Sequence, residues 1–135
     1  MFAQLGSKYA STLLGILRIV TGFLFFPHGG QKLFGWFGGM PQGMDVSFPS
    51  LIWFAGVLEF FGGLMILFGL FTRPVAFLLS GQMAFAYFMG HAKGGFWPIV
   101  NHGELAFLYS FLFLYFAAAG GGRFALDNLR RKKSI

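Results

Sequence analysis

The chain has 135 residues, of which 56% are hydrophobic and 10% are charged, and its mean hydropathy is +0.69. A soluble domain carries about 25% charged residues, so this composition excludes an ordinary soluble domain and indicates an integral membrane protein of one domain. There is no cysteine, which excludes disulfides, thiolate metal sites and a dithiol relay within the chain. The net charge of +6 is explained by the positive-inside rule and by anionic lipid, so we expect no nucleic-acid partner.

Four apolar segments predict membrane-spanning helices, and in chain order they cover residues 10–26, 51–71, 75–90 and 104–119. The first segment could be a secretory signal, but it contains Arg18 and lacks a small-residue cleavage site, so we interpret it as retained. The turn at Thr72 to Pro74 is so short that it predicts a hairpin of spans two and three. These features predict an all-α, integral membrane antiparallel four-helix bundle with a basic cytoplasmic tail at residues 120–135.

Two connections between the spans are rich in glycine and aromatic residues, at residues 28–50 and 90–103. In the first, residues 31–37 predict an interfacial half-helix with aromatic side chains at headgroup level. Most basic residues flank the opposite helix ends; they are Lys8, Arg73, Arg123 and the run Arg130 to Lys133. The positive-inside rule therefore predicts that both termini lie in the cytoplasm.

Charged residues within the first two spans give the first candidate site. Glu59 is flanked on its helix face by small residues, among them the structural candidates Gly62 and Gly63, and Arg18 has a similar face. At 1.5 Å per residue, Arg18 lies roughly 13 Å and Glu59 roughly 16 Å from the inner helix ends. Because these depths match, we predict an ion pair between Arg18 and Glu59, which either fixes helix register or forms the charged floor of a ligand or proton site.

Polar residues near the outer helix ends give the second candidate site, and they are predicted to converge: His28, Gln31, Lys32, His91, Asn101, His102 and Glu104. Tyr87 lies four residues before His91 and shares its helix face. Imidazoles and an acid in this position could exchange protons with a quinone head group, or the histidines could simply reach lipid headgroups. No pair has the tight ligand spacing of a metal site, so no metal is predicted.

Three stretches together resemble the DoxX family of small bacterial inner-membrane proteins. They are residues 28–39 (HGGQKLFGWFGG), 58–76 (LEFFGGLMILFGLFTRPVA) and 101–127 (NHGELAFLYSFLFLYFAAAGGGRFALD). The resemblance implies four transmembrane helices, a bacterial inner-membrane location and an association with membrane redox chemistry. The positions of this chain that match the family pattern include Lys32, Glu59, Arg73, Asn101 and Glu104, but the resemblance assigns none of them a catalytic role.

The resemblance and the outer polar residues favour a membrane subunit of a redox system, which would hold a quinone-like or lipid-like ligand near the outer helix ends. A soluble redox partner and a homo-oligomer are the assemblies expected on this hypothesis, beside the lipid bilayer. A non-enzymatic scaffold that recruits a soluble partner through its basic tail is the alternative. A small-solute carrier is a third hypothesis, although four short helices leave little room for a gated path.

Overall fold

The computed structural model describes residues 1–133, and all regular secondary structure in that range is helical. The helices are α1 (Phe2–Phe34), α2 (Leu51–Phe68), α3 (Thr72–Gly94), α4 (Pro98–Asn101), α5 (Glu104–Ala119) and α6 (Asp127–Lys132). Helices α1, α2 and α3 are long and apolar enough to cross a membrane, and α5 is a shorter apolar helix. The prediction of an all-helical membrane protein is confirmed. The four-helix bundle stays a prediction, and the last two tail positions, 134 and 135, lie outside the described residues.

Helix α1 is longer than the span predicted for it. Its 33 residues correspond to about 50 Å, well beyond the roughly 30 Å of a hydrocarbon core. The helix continues through Pro27 and ends at Gly35, whose φ of 69° is the left-handed conformation common after a helix. The predicted half-helix at residues 31–37 is therefore wrong as a separate element, because its first four residues complete α1 and a 3-10 turn at Trp36–Gly38 follows.

The chain forms two compact units, one from Met1–Thr72 with the C-terminal residues from Gly121 onward, and the other from Arg73–Gly120. In the first unit, α1 and α2 pack in antiparallel fashion. The close approaches that establish this register are Gly22 to Leu67, Phe26 to Gly63, Gly29 to Phe60 and Lys32 to Gly56.

Glycines spaced seven residues apart allow α1 to approach its neighbours so closely. Gly15, Gly22 and Gly29 share one helix face, since seven residues make nearly two turns. A methyl group on Gly22 would lie 2.4 Å from the backbone nitrogen of Leu67, and one on Gly29 would lie 2.3 Å from that of Phe60. Only glycine fits at these positions without separating the helices, because the obstacle is backbone and not a flexible side chain.

The C-terminal strap, residues 121–132, completes the first unit at the end of α2. Backbone nitrogens of the strap donate hydrogen bonds to carbonyls of Ser11, Phe68 and Gly69. The Asp127 carboxylate accepts hydrogen bonds from the backbone nitrogens of Phe71 (2.8 Å) and Thr72 (2.9 Å). The strap thus satisfies backbone groups that the turn after α2 leaves without helical partners.

In the second unit, two sets of hydrogen bonds join α3 and α5. The hydroxyls of Ser80 and Ser110 each donate a hydrogen bond to the other residue's carbonyl oxygen, at 2.7 and 3.2 Å. At the end of α5, the Arg73 guanidinium donates to the carbonyls of Ala117 and Ala118. A cation is favourable at this place because the carbonyl end of a helix carries partial negative charge.

Candidate functional site

The ion pair of the first unit joins Lys32 and Glu59, not Arg18 and Glu59. The Lys32 Nζ lies 2.6 Å from the Glu59 Oε2, and the two side chains are only 15% and 6% exposed. Lys32 lies in the last turn of α1, and Glu59 lies in a π-helical turn, Leu58–Gly62, within α2. Single π-helical turns inside α-helices are frequent at functional sites, and ionised groups within a membrane span are usually functional too.

The predicted Arg18–Glu59 pair is wrong because the depths of the two residues were matched from incorrect helix ends. Helix α1 begins at Phe2 instead of residue 10, and α2 ends at Phe68 instead of residue 71. In the antiparallel register, Arg18 lies beside the last turn of α2, while Glu59 lies beside the end of α1. Arg18 and Lys32 are separated by 14 residues of helix, or about 21 Å along the axis.

Arg18 is fully buried and donates its hydrogen bonds to backbone carbonyls. Its guanidinium contacts the carbonyls of Ile66 (2.9 Å) and Leu67 (2.6 Å) in the last turn of α2. It also donates to two carbonyls of the C-terminal strap, those of Gly121 (2.8 Å) and Arg123 (3.2 Å). The planar fork of an arginine suits such multiple acceptors, and the negative end of the α2 dipole favours its charge. This geometry indicates that Arg18 fastens the strap to the helix pair.

His28 adds a titratable group next to the ion pair. It is half-buried and lies four residues before Lys32, on the same face of α1. Histidine is the side chain whose ordinary pKa lies nearest to neutral pH, so a proton can be gained or lost at this position. The first unit therefore groups His28 and Lys32 on one helix with Glu59 on the other.

Aromatic rings cover the same end of the helix pair. Phe26, Phe34, Trp36 and Phe60 form a cluster whose ring centroids lie 5.2 to 6.4 Å apart. The indole of Trp36 packs directly on Gly30, where a methyl group would lie 2.1 Å from the ring. The chain after α1 is thus folded back onto the helix, at the same end of the helix pair as Lys32 and Glu59.

In the second unit, Asn101 organises the predicted polar residues. Its Nδ2 donates to the Tyr87 hydroxyl (3.1 Å) and to the Gly95 carbonyl (2.9 Å), and its Oδ1 accepts from the Gly103 nitrogen (2.8 Å). The His91 Nδ1 lies 3.2 Å from the Asn101 carbonyl oxygen. Since a carbonyl oxygen only accepts, Nδ1 carries a proton in this contact.

The remaining predicted residues have more varied environments. His102 and Glu104 are exposed, and His102 has a positive φ of 61° at the end of α4. Gly63 is buried against Phe26, whereas Gly62 is only half-buried.

Across residues 1–133, no group of three or more histidine, cysteine, aspartate or glutamate side chains could hold a metal ion. Convergence of the His28 and His91 groups on one site stays a prediction.

Sequence reasoning named Lys32 and Glu59 as separate candidates but missed that they form a pair. The signal that could have revealed it is the seven-residue spacing of the α1 glycines, because aligning Gly22 and Gly29 with the α2 glycines gives the register directly. It also missed Asp127, whose carboxylate holds the turn between α2 and α3. No local pattern marks that contact, which joins residues more than 50 positions apart.

Three known proteins are similar to this chain over most of their length. The chain is 45% identical over 129 residues to an uncharacterized protein of Haemophilus influenzae, covering 93% of this chain and 96% of the relative. It is 32% identical over 123 residues to the inner membrane protein YqjF of Escherichia coli, covering 87% and 92%. It is 29% identical over 113 residues to a Bacillus subtilis protein named "Putative oxidoreductase CatD", covering 83% and 82%.

No solved structure gives a significant match to the chain. The DoxX family model matches residues 13–92, which contain α1 from its fourth turn onward, all of α2 and most of α3. Because this match covers more than half of the sequence, and the first relative is similar over nearly its whole length, the chain belongs to the DoxX family.

Proposed function

We propose that this protein is the membrane subunit of a bacterial inner-membrane redox system and that a quinone-like head group binds beside Lys32 and Glu59. The observation that carries the proposal is the buried ion pair within apolar spans, one helical turn from a titratable histidine. The name of the Bacillus subtilis relative supports the redox assignment, and that of the Escherichia coli relative supports the inner-membrane location.

The residues of the site suit the proton chemistry of a quinone. Reduction of a quinone to a quinol takes up two electrons and two protons, one proton at each carbonyl oxygen. The Lys32 ammonium can donate a hydrogen bond to one carbonyl oxygen, and His28 and Glu59 can exchange protons with the ring oxygens. The chain has no cysteine thiol to relay electrons, so on this proposal a soluble redox partner supplies both electrons.

A ligand-binding assay on the purified protein tests the proposal. Decylubiquinone should raise the thermal unfolding temperature in detergent and quench part of the tryptophan fluorescence, to which Trp36 of the aromatic cluster contributes. Glu59→Gln should lose most of both responses, each measured against the variant's own ligand-free state. Asp45→Asn removes one acid from an exposed loop and is the matched control, which should respond like the wild type. An unresponsive wild type, with no quinone in its lipid extract, would refute the proposal.

A scaffold is the second candidate, and the geometry of Arg18 favours it. That buried cation holds the strap in place and is fully occupied by carbonyls, which is a folding role. On this alternative the protein recruits a soluble partner without binding a quinone. A Glu59→Gln protein that folds and retains the cellular phenotype of the wild type would favour the scaffold over the redox subunit.

We propose further that both termini face the cytoplasm. Because the chain has no cysteine, a single introduced cysteine can report its side. Ser7→Cys lies near the start of α1 and Ser47→Cys in the exposed loop before α2. A membrane-impermeant maleimide added to intact spheroplasts should label the second variant and not the first.

A further inference from the structure

We propose that the C-terminal strap is a binding surface for anionic phospholipid headgroups. The surface is made of exposed cations and exposed apolar side chains of the strap, together with the residue that follows it: Arg123, Arg131, Lys132, Phe124, Leu126, Leu129 and Lys133. This inference concerns a different part of the molecule from the proposed quinone site, and neither depends on the other.

The strap is held at the level where a headgroup would lie. Its backbone donates hydrogen bonds to the carbonyls of Phe68, the last residue of α2, and of Gly69. Arg18 ties the start of the strap to the helix pair, and Asp127 ties its middle to the turn after α2. Because the apolar span of α2 ends where the strap begins, the cations of the strap lie at the border of the hydrocarbon region.

The charge of the strap is strongly one-sided. Its single acid, Asp127, accepts hydrogen bonds from the backbone nitrogens of Phe71 and Thr72 and also lies 3.8 Å from Arg130. Arg130 in turn stacks over the Phe71 ring at 4.1 Å. The single acid is therefore engaged by groups of the protein itself, and the cations of the surface defined above are exposed to solvent. Each such cation strengthens binding to an anionic membrane about fivefold.

The apolar residues of the surface favour lipid over an acidic soluble protein. Phe124 is 67% exposed and Leu129 is 58% exposed, and both lie within a few residues of the cations. Side chains of this kind beside cations are typical of segments that lie in the membrane interface, with the apolar part inserted among the acyl chains. A free phosphate ion would use the cations alone.

Native mass spectrometry of the full chain in neutral detergent tests the proposal. The wild type should retain phosphatidylglycerol in preference to phosphatidylcholine. The double variant Arg131→Gln/Lys132→Gln should retain about 25-fold less phosphatidylglycerol, since each cation contributes about fivefold. Two single variants separate position from net charge: Lys132→Gln should retain about fivefold less phosphatidylglycerol, and the control Lys93→Gln, at the end of α3, should retain it like the wild type. Equal losses in these two single variants would overturn the proposal, since the effect would then be one of net charge.

Two further measurements separate lipid from the other occupants. Phe124→Ser/Leu129→Ser should also lose phosphatidylglycerol while it keeps its unfolding temperature in detergent without lipid, because neither side chain anchors the strap. Inorganic phosphate should raise the unfolding temperature of the wild type much less than phosphatidylglycerol does. An equal shift with phosphate would mean that the surface binds a free phosphate ion through its cations alone. Full lipid retention by the serine variant would mean that the apolar side chains take no part in binding, and either result would overturn the proposal.

Discussion

The two units of this protein bury different kinds of polar group. In the unit of α1 and α2, the buried polar residues include the charged Arg18 and Glu59, whereas in the unit of α3 and α5 they are the neutral Ser80 and Asn101. Each unit nevertheless uses an arginine in the same way, since Arg18 binds carbonyls at the end of α2 and Arg73 binds carbonyls at the end of α5.

This difference shows what a charge requires inside a membrane protein. A buried charge is expensive unless it is paired and hydrogen-bonded. The first unit meets this condition with a counterion for Lys32 and with four carbonyls for Arg18. The second unit leaves its arginine exposed and uses only neutral hydrogen bonds inside. Substitutions in the first unit should therefore lower the free energy of unfolding more than those in the second unit. Four measurements test that expectation.

The largest effect should come from breaking the ion pair on one side. Lys32→Met leaves the Glu59 carboxylate without its counterion and should lower the free energy of unfolding by about 3–5 kcal/mol. The double variant Lys32→Met/Glu59→Leu should recover much of that loss, because no uncompensated charge remains. Chemical unfolding in mixed micelles measures both. Additive losses would mean that the two side chains do not depend on each other.

The next effect should distinguish the two arginines. Arg18→Met leaves buried carbonyls of α2 and the strap without a donor and should cost about 3 kcal/mol. Arg73→Met removes an exposed cation from the end of α5 and should cost about 1 kcal/mol or less. Unfolding of the two variants under the same conditions gives the comparison directly. If both variants lose the same free energy of unfolding, burial of the arginine does not explain the difference between the two units.

Disrupting the close packing of α1 against α2 should lower the free energy of unfolding by an intermediate amount. Gly29→Ala places a methyl group against the backbone of Phe60 and should cost about 1–3 kcal/mol. Gly6→Ala lies in the same helix with no atom within 4 Å of the added methyl, and it should be neutral or stabilising by up to about 1 kcal/mol. A neutral Gly29→Ala would mean that α1 and α2 are farther apart than the register implies.

The smallest effect should come from the second unit. Tyr87→Phe removes the hydroxyl that accepts a hydrogen bond from the Asn101 Nδ2 at 3.1 Å, and it should cost about 1 kcal/mol. The amide keeps its bond to the Gly95 carbonyl, so little is left unsatisfied. Thermal unfolding measures the change. A loss as large as that of Lys32→Met would remove the distinction between charged and neutral interiors.

Some features could be predicted because they depend on short stretches of sequence. The apolar runs identified the long helices, and the intramembrane charges identified Lys32 and Glu59 as candidates. The helix ends could not be predicted as well, since α1 continues through Pro27 and through the polar residues up to Lys32. Helix propensity and hydropathy both suggest that the helix ends near Pro27. Packing against α2 and the aromatic cluster stabilises the helix beyond that residue.

By itself, the sequence determined the helical class, the family and the need to satisfy charges within apolar spans. These follow from composition, from apolar run length and from the high cost of an unpaired charge in lipid. Only the tertiary structure decided which charges meet. A shift of a few residues at the helix ends changes the antiparallel register, and this register places Glu59 beside Lys32 and Arg18 beside the strap. Backbone carbonyls, which no sequence pattern marks as partners, then take the place of the expected counterion for Arg18.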